Sequence, residues 1–335
     1  MKSIIQTIAL ILIFAAGLFA QGFRNVGHAG ANFLQIPVEP IGASLGNSGV
    51  AHITGVEGLY WNPAAITHSK DTELMVSHVD WIIDTQVQFI GLTHRFDDFG
   101  TVGLSVTALT MDDMEITTET SPNGTGRFFS AGSYAFGLTF AKRLIDRFSF
   151  GATVKYIYEF IWETNGSAIA FDFGSVYTTE FYNLRIGMRL ANFGGDVTFE
   201  GDPIDNKNDV IENSGLSYTN DPRLERISEE YALPQLFNVG IAIDPYSTDN
   251  HRLTITSAVN DPNDNDTQVI FGGEYAFQEM IFLRGGYKLN FEEQGFSFGL
   301  GLNYEIAGVQ TQFNYGYSAF GILGSINFLS LKAGL

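Results

Sequence analysis

The chain of 335 residues contains no cysteine, so a disulfide framework and a lipid-modified N-terminal cysteine are both excluded. After Leu18, no run approaches the roughly 20 consecutive apolar residues that a membrane-spanning helix needs. Basic residues are scarce, with 18 Lys and Arg against 37 Asp and Glu and a formal net charge of −19. That balance repels a phosphate backbone and excludes nucleic acid as a partner. Charged residues make up only 16% of the chain, against roughly 25% in soluble domains.

Chemistry-bearing patterns are equally thin. The six histidines, His28, His52, His68, His78, His94 and His251, show no i,i+4 metal spacing and no visible pairing with a serine nucleophile. His78 with Asp80 comes nearest to a catalytic pair, and it is no more than any two residues at a strand end provide. Asp261, Asn263, Asn265 and Asp266 suggest a calcium loop only superficially. Asp266 occupies the position that needs glycine, and Gly272 stands where the final Glu belongs. The sequence therefore calls for no cofactor, no metal and no catalytic residue.

Aromatic residues are abundant, with 29 Phe and 14 Tyr. They lie in runs that alternate with Gly, Ser, Thr and Asn. Phe296, Phe298, Leu300, Leu302 and Tyr304 fall on one face of such a run, opposite Ser297, Gly299, Gly301 and Asn303. Tyr134, Phe136, Leu138 and Phe140 repeat the pattern, as do Leu184, Ile186, Met188 and Leu190. Period-two alternation marks strands with unlike faces. The spans predicted are 72–79, 85–95, 100–109, 130–143, 147–160, 167–179, 182–194, 232–244, 250–260, 267–277, 281–291, 295–305, 308–317 and 323–335. In the second span Phe89, Ile90 and Leu92 break the alternation.

An export signal precedes this pattern. Lys2 opens it, Ile8 to Leu18 forms its apolar stretch, and small residues lead to a cleavage site after Ala20. An exported chain of alternating strands without a spanning helix predicts an all-β fold, a transmembrane antiparallel barrel of about 14 strands with lipid outside and water inside. Connectors such as Phe96–Gly100 and Leu144–Arg147 are short, whereas Thr110–Phe129 and Gly195–Tyr231 are long and polar. Both long connectors fall at one end if the strands simply alternate. Barrels of the outer membrane have short periplasmic turns and longer outer loops, so both termini are expected on the periplasmic side. Outer-membrane lipid and lipopolysaccharide are the surroundings this implies.

The chain thus divides into a signal peptide (1–20), a hatch segment rich in Gly and Ala (21–71) and the barrel (72–335). In the hatch, Asn62 is placed to cap a helix that Pro63 opens, with Tyr60 and Trp61 packing it against the inner wall. On the lumen side the parity places Lys155, Glu159, Asp172, Arg185, Arg189, Glu274, Arg284 and Lys288. Two readings of these charges are open: a network of ion pairs filling a wide barrel, or a polar conduit.

Residues 30–66 carry a recognisable motif set. Phe33, Leu34 and Ile36, then Ala43, Leu45, Gly46 and Gly49, precede Tyr60, Trp61, Asn62, Pro63 and Ala64. This segment resembles the N-terminal signature of the PorV/PorQ family, and its Asn-Pro-Ala element is similar to that of the wider FadL-like barrels. The resemblance implies fourteen strands with an N-terminal plug. It also implies a non-catalytic role as shuttle or scaffold in type IX secretion, with cargo C-terminal domains and other secretion components as partners. The alternative it leaves open is a FadL-like passive transporter of hydrophobic small molecules.

Overall fold

The computed structural model describes residues 27–201, 230–289, 291 and 294–335. The expected signal peptide and residues 202–229 of the long connector lie outside the described residues.

Fourteen antiparallel strands close into a barrel. They are β1 (Thr72–Asp80), β2 (Gln86–Phe96), β3 (Gly100–Thr110), β4 (Ala131–Ile145), β5 (Phe148–Ile161), β6 (Thr164–Thr178) and β7 (Arg185–Gly194). The second half comprises β8 (Leu236–Ser247), β9 (His251–Pro262), β10 (Gln268–Phe277), β11 (Ile281–Leu289), β12 (Phe296–Ile306), β13 (Val309–Ala319) and β14 (Ser325–Gly334). Each strand pairs with its neighbours in sequence, and β14 pairs with β1 from Glu73↔Gly334 to Asp80↔Asn327. No edge of the cylinder is left open to lipid, as the membrane interior demands.

The alternation seen in the sequence is the wall itself. Phe298 and Leu300 point outward, 57% and 53% exposed, while Ser297 is buried inside. At the end reached by even-numbered strands the connections are tight. Tyr182–Asn183 and Gln278–Glu279 both have positive φ at two successive residues, the geometry of a type I′ hairpin turn. At the opposite end Thr110 is joined to Ala131 by a long connection carrying the small hairpin Met114–Glu115/Phe128–Phe129. The other long connection begins with a short strand, Thr198–Gly201, laid along β6.

The bore is filled rather than wet. The segment from Gly27 to Asp71 folds into short helical turns, including α1 (Pro40–Ser44) and α2 (Gly58–Trp61), followed by a 3-10 turn over Pro63–His68. Gly46 and Gly55 at positive φ break the segment before any turn can lengthen. Val38, Leu45, Val56, Ala64 and Ile66 are wholly buried. The inner Gly, Ser and Thr residues, expected to meet water, meet this hatch instead. A Cβ on Gly151 would sit 2.5 Å from the Pro63 carbonyl carbon. The small inner residues are what let the hatch backbone touch the wall. Phe89 breaks the β2 alternation for the same reason: it faces inward, 2% exposed, within the hatch core.

Candidate functional site

The hatch motif works as a set of clamps. Asn62 caps the Pro63 turn by accepting from the Ala64 amide at 3.1 Å. Its Nδ2 donates to the Val50 carbonyl at 2.9 Å and to the Ser175 carbonyl of β6 at 3.1 Å. One side chain thereby starts a helical turn, ties two hatch segments and pins the hatch to the wall. Pro63 and Ala64 lie against β5 and β6, where Gly151 and Gly174 make room. The Tyr60 hydroxyl donates to the Ile36 carbonyl at 2.8 Å, and the Arg189 guanidinium lies 5.4 Å above its ring. Burial pushes the Tyr60 hydroxyl up, so it stays a donor. Trp61 differs from expectation. It packs within the hatch beside Ile41, Leu45 and Ile53 and donates its indole N–H to Glu39.

Glu39 had no place in the sequence reading. Its carboxylate is fully buried and accepts from the Ile41 amide at 2.7 Å and the Gly42 amide at 2.6 Å as well as from Trp61. Burial, with Glu57 adding to it, pushes the carboxyl up to about 7. An acidic residue directly before a proline that opens a helix is a capping signal the sequence does contain.

Six of the eight lumen charges form ion pairs, and Glu159 and Lys288 take neutral partners. Asp172 of β6 joins Lys155 of β5 at 2.7 Å and Arg189 of β7 at 3.0 Å, and accepts from the Asn192 amide at 2.9 Å. Asn192 sits at positive φ in a bulge of β7 that turns it toward this cluster. Nearer the short-turn end, Glu274 joins Arg284 at 2.6 Å, Arg252 at 3.1 Å and His52 of the hatch at 3.2 Å. Arg185 pairs with Asp244 at 2.7 Å, and Lys332 of β14 with Glu57 of the hatch at 2.9 Å. Glu159 accepts from Ser133 at 2.9 Å and from the Ala31 amide at 3.2 Å. Lys288 bonds Gln294 and lies 5.2 Å from the Phe291 ring centroid. Arg252, Asp244, Glu57 and Lys332 are partners that the sequence did not single out.

The hatch leaves a space on each side. Toward the long-loop end lies a vestibule of about 360 Å³, lined by Trp81, Phe320, Tyr60 and Trp61 and by polar residues of β7 to β11. Toward the short-turn end a cavity of about 260 Å³ holds the Glu274 cluster. A separate narrow space of about 30 Å³ lies deeper in the barrel, lined by Tyr60 and Arg189 together with Leu59 and Phe89.

No protein-family model matches the sequence, and neither does any curated protein, so the PorV/PorQ resemblance stands on residues 30–66 alone. Solved structures do match. A Pseudomonas aeruginosa FadL homologue aligns with a TM-score of 0.55 at 14% identity, over 89% of this chain and 98% of its own. The Pseudomonas putida toluene transporter TodX aligns at 0.54 and 12%, over 89% and 97%. The Ralstonia pickettii toluene transporter TbuX aligns at 0.53 and 12%, over 88% and 96%. Barrel, hatch and apolar exterior together give the chain the FadL-like fold, which resembles that of outer-membrane β-barrels.

Proposed function

We propose that the protein is a passive, non-catalytic channel for small hydrophobic molecules crossing the outer membrane. The observation that carries this reading is the vestibule above the hatch. It lies at the long-loop end, sets Trp81, Phe320, Tyr60 and Trp61 beside polar residues of the wall, and shares Tyr60 and Arg189 with a narrow space deeper in the barrel. Its volume is at the lower end for ligand pockets, and solved proteins of the same fold include two toluene transporters.

The test is uptake. Cells expressing the chain in an otherwise poorly permeable outer membrane should take up propylbenzene faster than cells without it, and unchanged uptake rejects the reading. The shuttle role implied by the N-terminal motif would rest on the Gly195–Tyr231 connection. Cargo C-terminal domains co-purifying with the intact protein, and lost when that loop is deleted, would replace the channel reading.

A further inference from the structure

The barrel wall lays four polar side chains side by side along the vestibule. Arg189 of β7 is opposite Asn238 of β8, Asn238 is opposite Asn260 of β9, and Asn260 is opposite Gln268 of β10. Each is at least nine-tenths buried, and all four line the same cavity. The hydrogen bonding of the first two is incomplete. Arg189 gives Nη2 to Asp172, and its buried Nε has no partner among the described residues. Asn238 gives Nδ2 to Asn260, and its buried Oδ1 has none either.

Buried polar groups in folded proteins are bonded as a rule, yet here a donor and an acceptor on opposed residues of one strand pair each lack a partner among the described residues. Turning both amides over would exchange donor for acceptor at Asn238 and still leave one end unpaired. A hydroxyl suits either arrangement, because a single oxygen both donates and accepts.

The far side of the vestibule is of opposite character. Trp81, at the end of β1, and Phe320, between β13 and β14, form an edge-to-face pair with centroids 5.2 Å apart. In a cylinder of fourteen strands β1 faces β8, so this aromatic pair stands across the bore from Asn238.

Resting on the channel reading above, we infer that the vestibule selects hydroxylated amphiphiles of phenol type over bare hydrocarbons. The ligand oxygen lies against the polar row at Arg189 and Asn238, and the apolar body lies against Trp81 and Phe320. Leaving the polar row without such a hydrogen bond in a buried site corresponds to about a tenfold difference in affinity.

The experiment compares a matched pair, 4-propylphenol and propylbenzene, titrated against the full chain in detergent. Binding is read from quenching of tryptophan fluorescence, since Trp61 and Trp81 both line the cavity. The phenol should bind about tenfold more tightly. Asn238→Leu should remove that preference, bringing the ratio of the two dissociation constants to about one. Equal affinities in the wild-type protein, or a preference that survives N238L, would overturn the inference and leave the channel reading standing. Should N238L fail to assemble, the wild-type pair decides alone. If neither compound binds saturably, the channel reading falls and this inference falls with it.

Discussion

Glu39 is the residue whose loss should unseat the hatch without opening the barrel. Its carboxylate satisfies two backbone amides at the start of α1 and the Trp61 indole, all inside the protein. Glu39→Ala would leave three buried donors without an acceptor. Each such group costs about 1–3 kcal/mol, so with partial relaxation the loss is on the order of 4 kcal/mol in hatch stability. None of the wall pairings involves Glu39. The variant should therefore show the wild-type heat-induced gel shift of an intact barrel, while amide exchange at residues 41–45 and proteolysis of the hatch accelerate by orders of magnitude.

The same residue sets a pH dependence of defined sign. Its carboxyl is raised to about 7 from 4.5, chiefly by burial. The folded hatch therefore holds the proton more tightly than the released segment does. The stabilisation is complete below pH of about 4.5 and is lost as pH climbs to about 7, a swing of about 3 kcal/mol. Glu39→Gln should flatten that profile. Hatch protection in Glu39→Ala equal to wild type, or a wild-type hatch that tightens between pH 5 and 7.5, would refute the reasoning.

Other expectations follow from the same geometry. Gly174→Leu places a side chain where Asn62 Oδ1 lies and should expose the hatch to protease. Gly273→Ala, with nothing nearer than 3.8 Å, should be silent in the same assay. Asp172→Asn strips Lys155 and Arg189 of their shared carboxylate and should cost about 3–5 kcal/mol, read as a lower temperature for the gel shift. Asp172→Asn combined with Lys155→Met should recover part of that loss. Leu300→Lys puts a charge on the lipid face at about 2–4 kcal/mol and should reduce the yield of folded barrel in membranes.

The wall was legible because a strand with lipid on one side and a small-residue surface on the other writes its period directly into the chain. Its errors cluster where turn chemistry is atypical. Residues 182–184 read as strand because Leu184 opens the alternating set that runs to Leu190, yet Tyr182 and Asn183 form a tight turn. Residues 232–235 read as strand through Leu233, but Pro234 lacks the amide a ladder needs, and β8 begins at Leu236. Trp162 at positive φ ends β5, and the Asn165–Gly166 pair, a turn signal in the sequence, lies inside β6, which starts at Thr164, three residues before the predicted 167.

The candidate site was legible only in part. Inward parity located every lumen charge that was named, but not which carboxylate each would meet, since partners such as Asp244 and Arg185 lie 59 positions apart. The hatch has no period at all, and Glu39 is found only by asking what satisfies the amides behind Pro40. The Arg189–Asn238–Asn260–Gln268 row requires the register of four strands, which no single stretch of sequence contains.

The character of the inner wall decides what this protein would become without its stopper. A cylinder lined with apolar side chains would dewet and stay electrically silent once emptied. Here the lining is small, hydroxylated and set with paired ions, so a barrel lacking residues 27–71 would fill with solvent and conduct. The cell's resistance to leakage through this protein thus depends on a few buried clamps such as Asn62 and Glu39, and single-channel recording would register their failure as current.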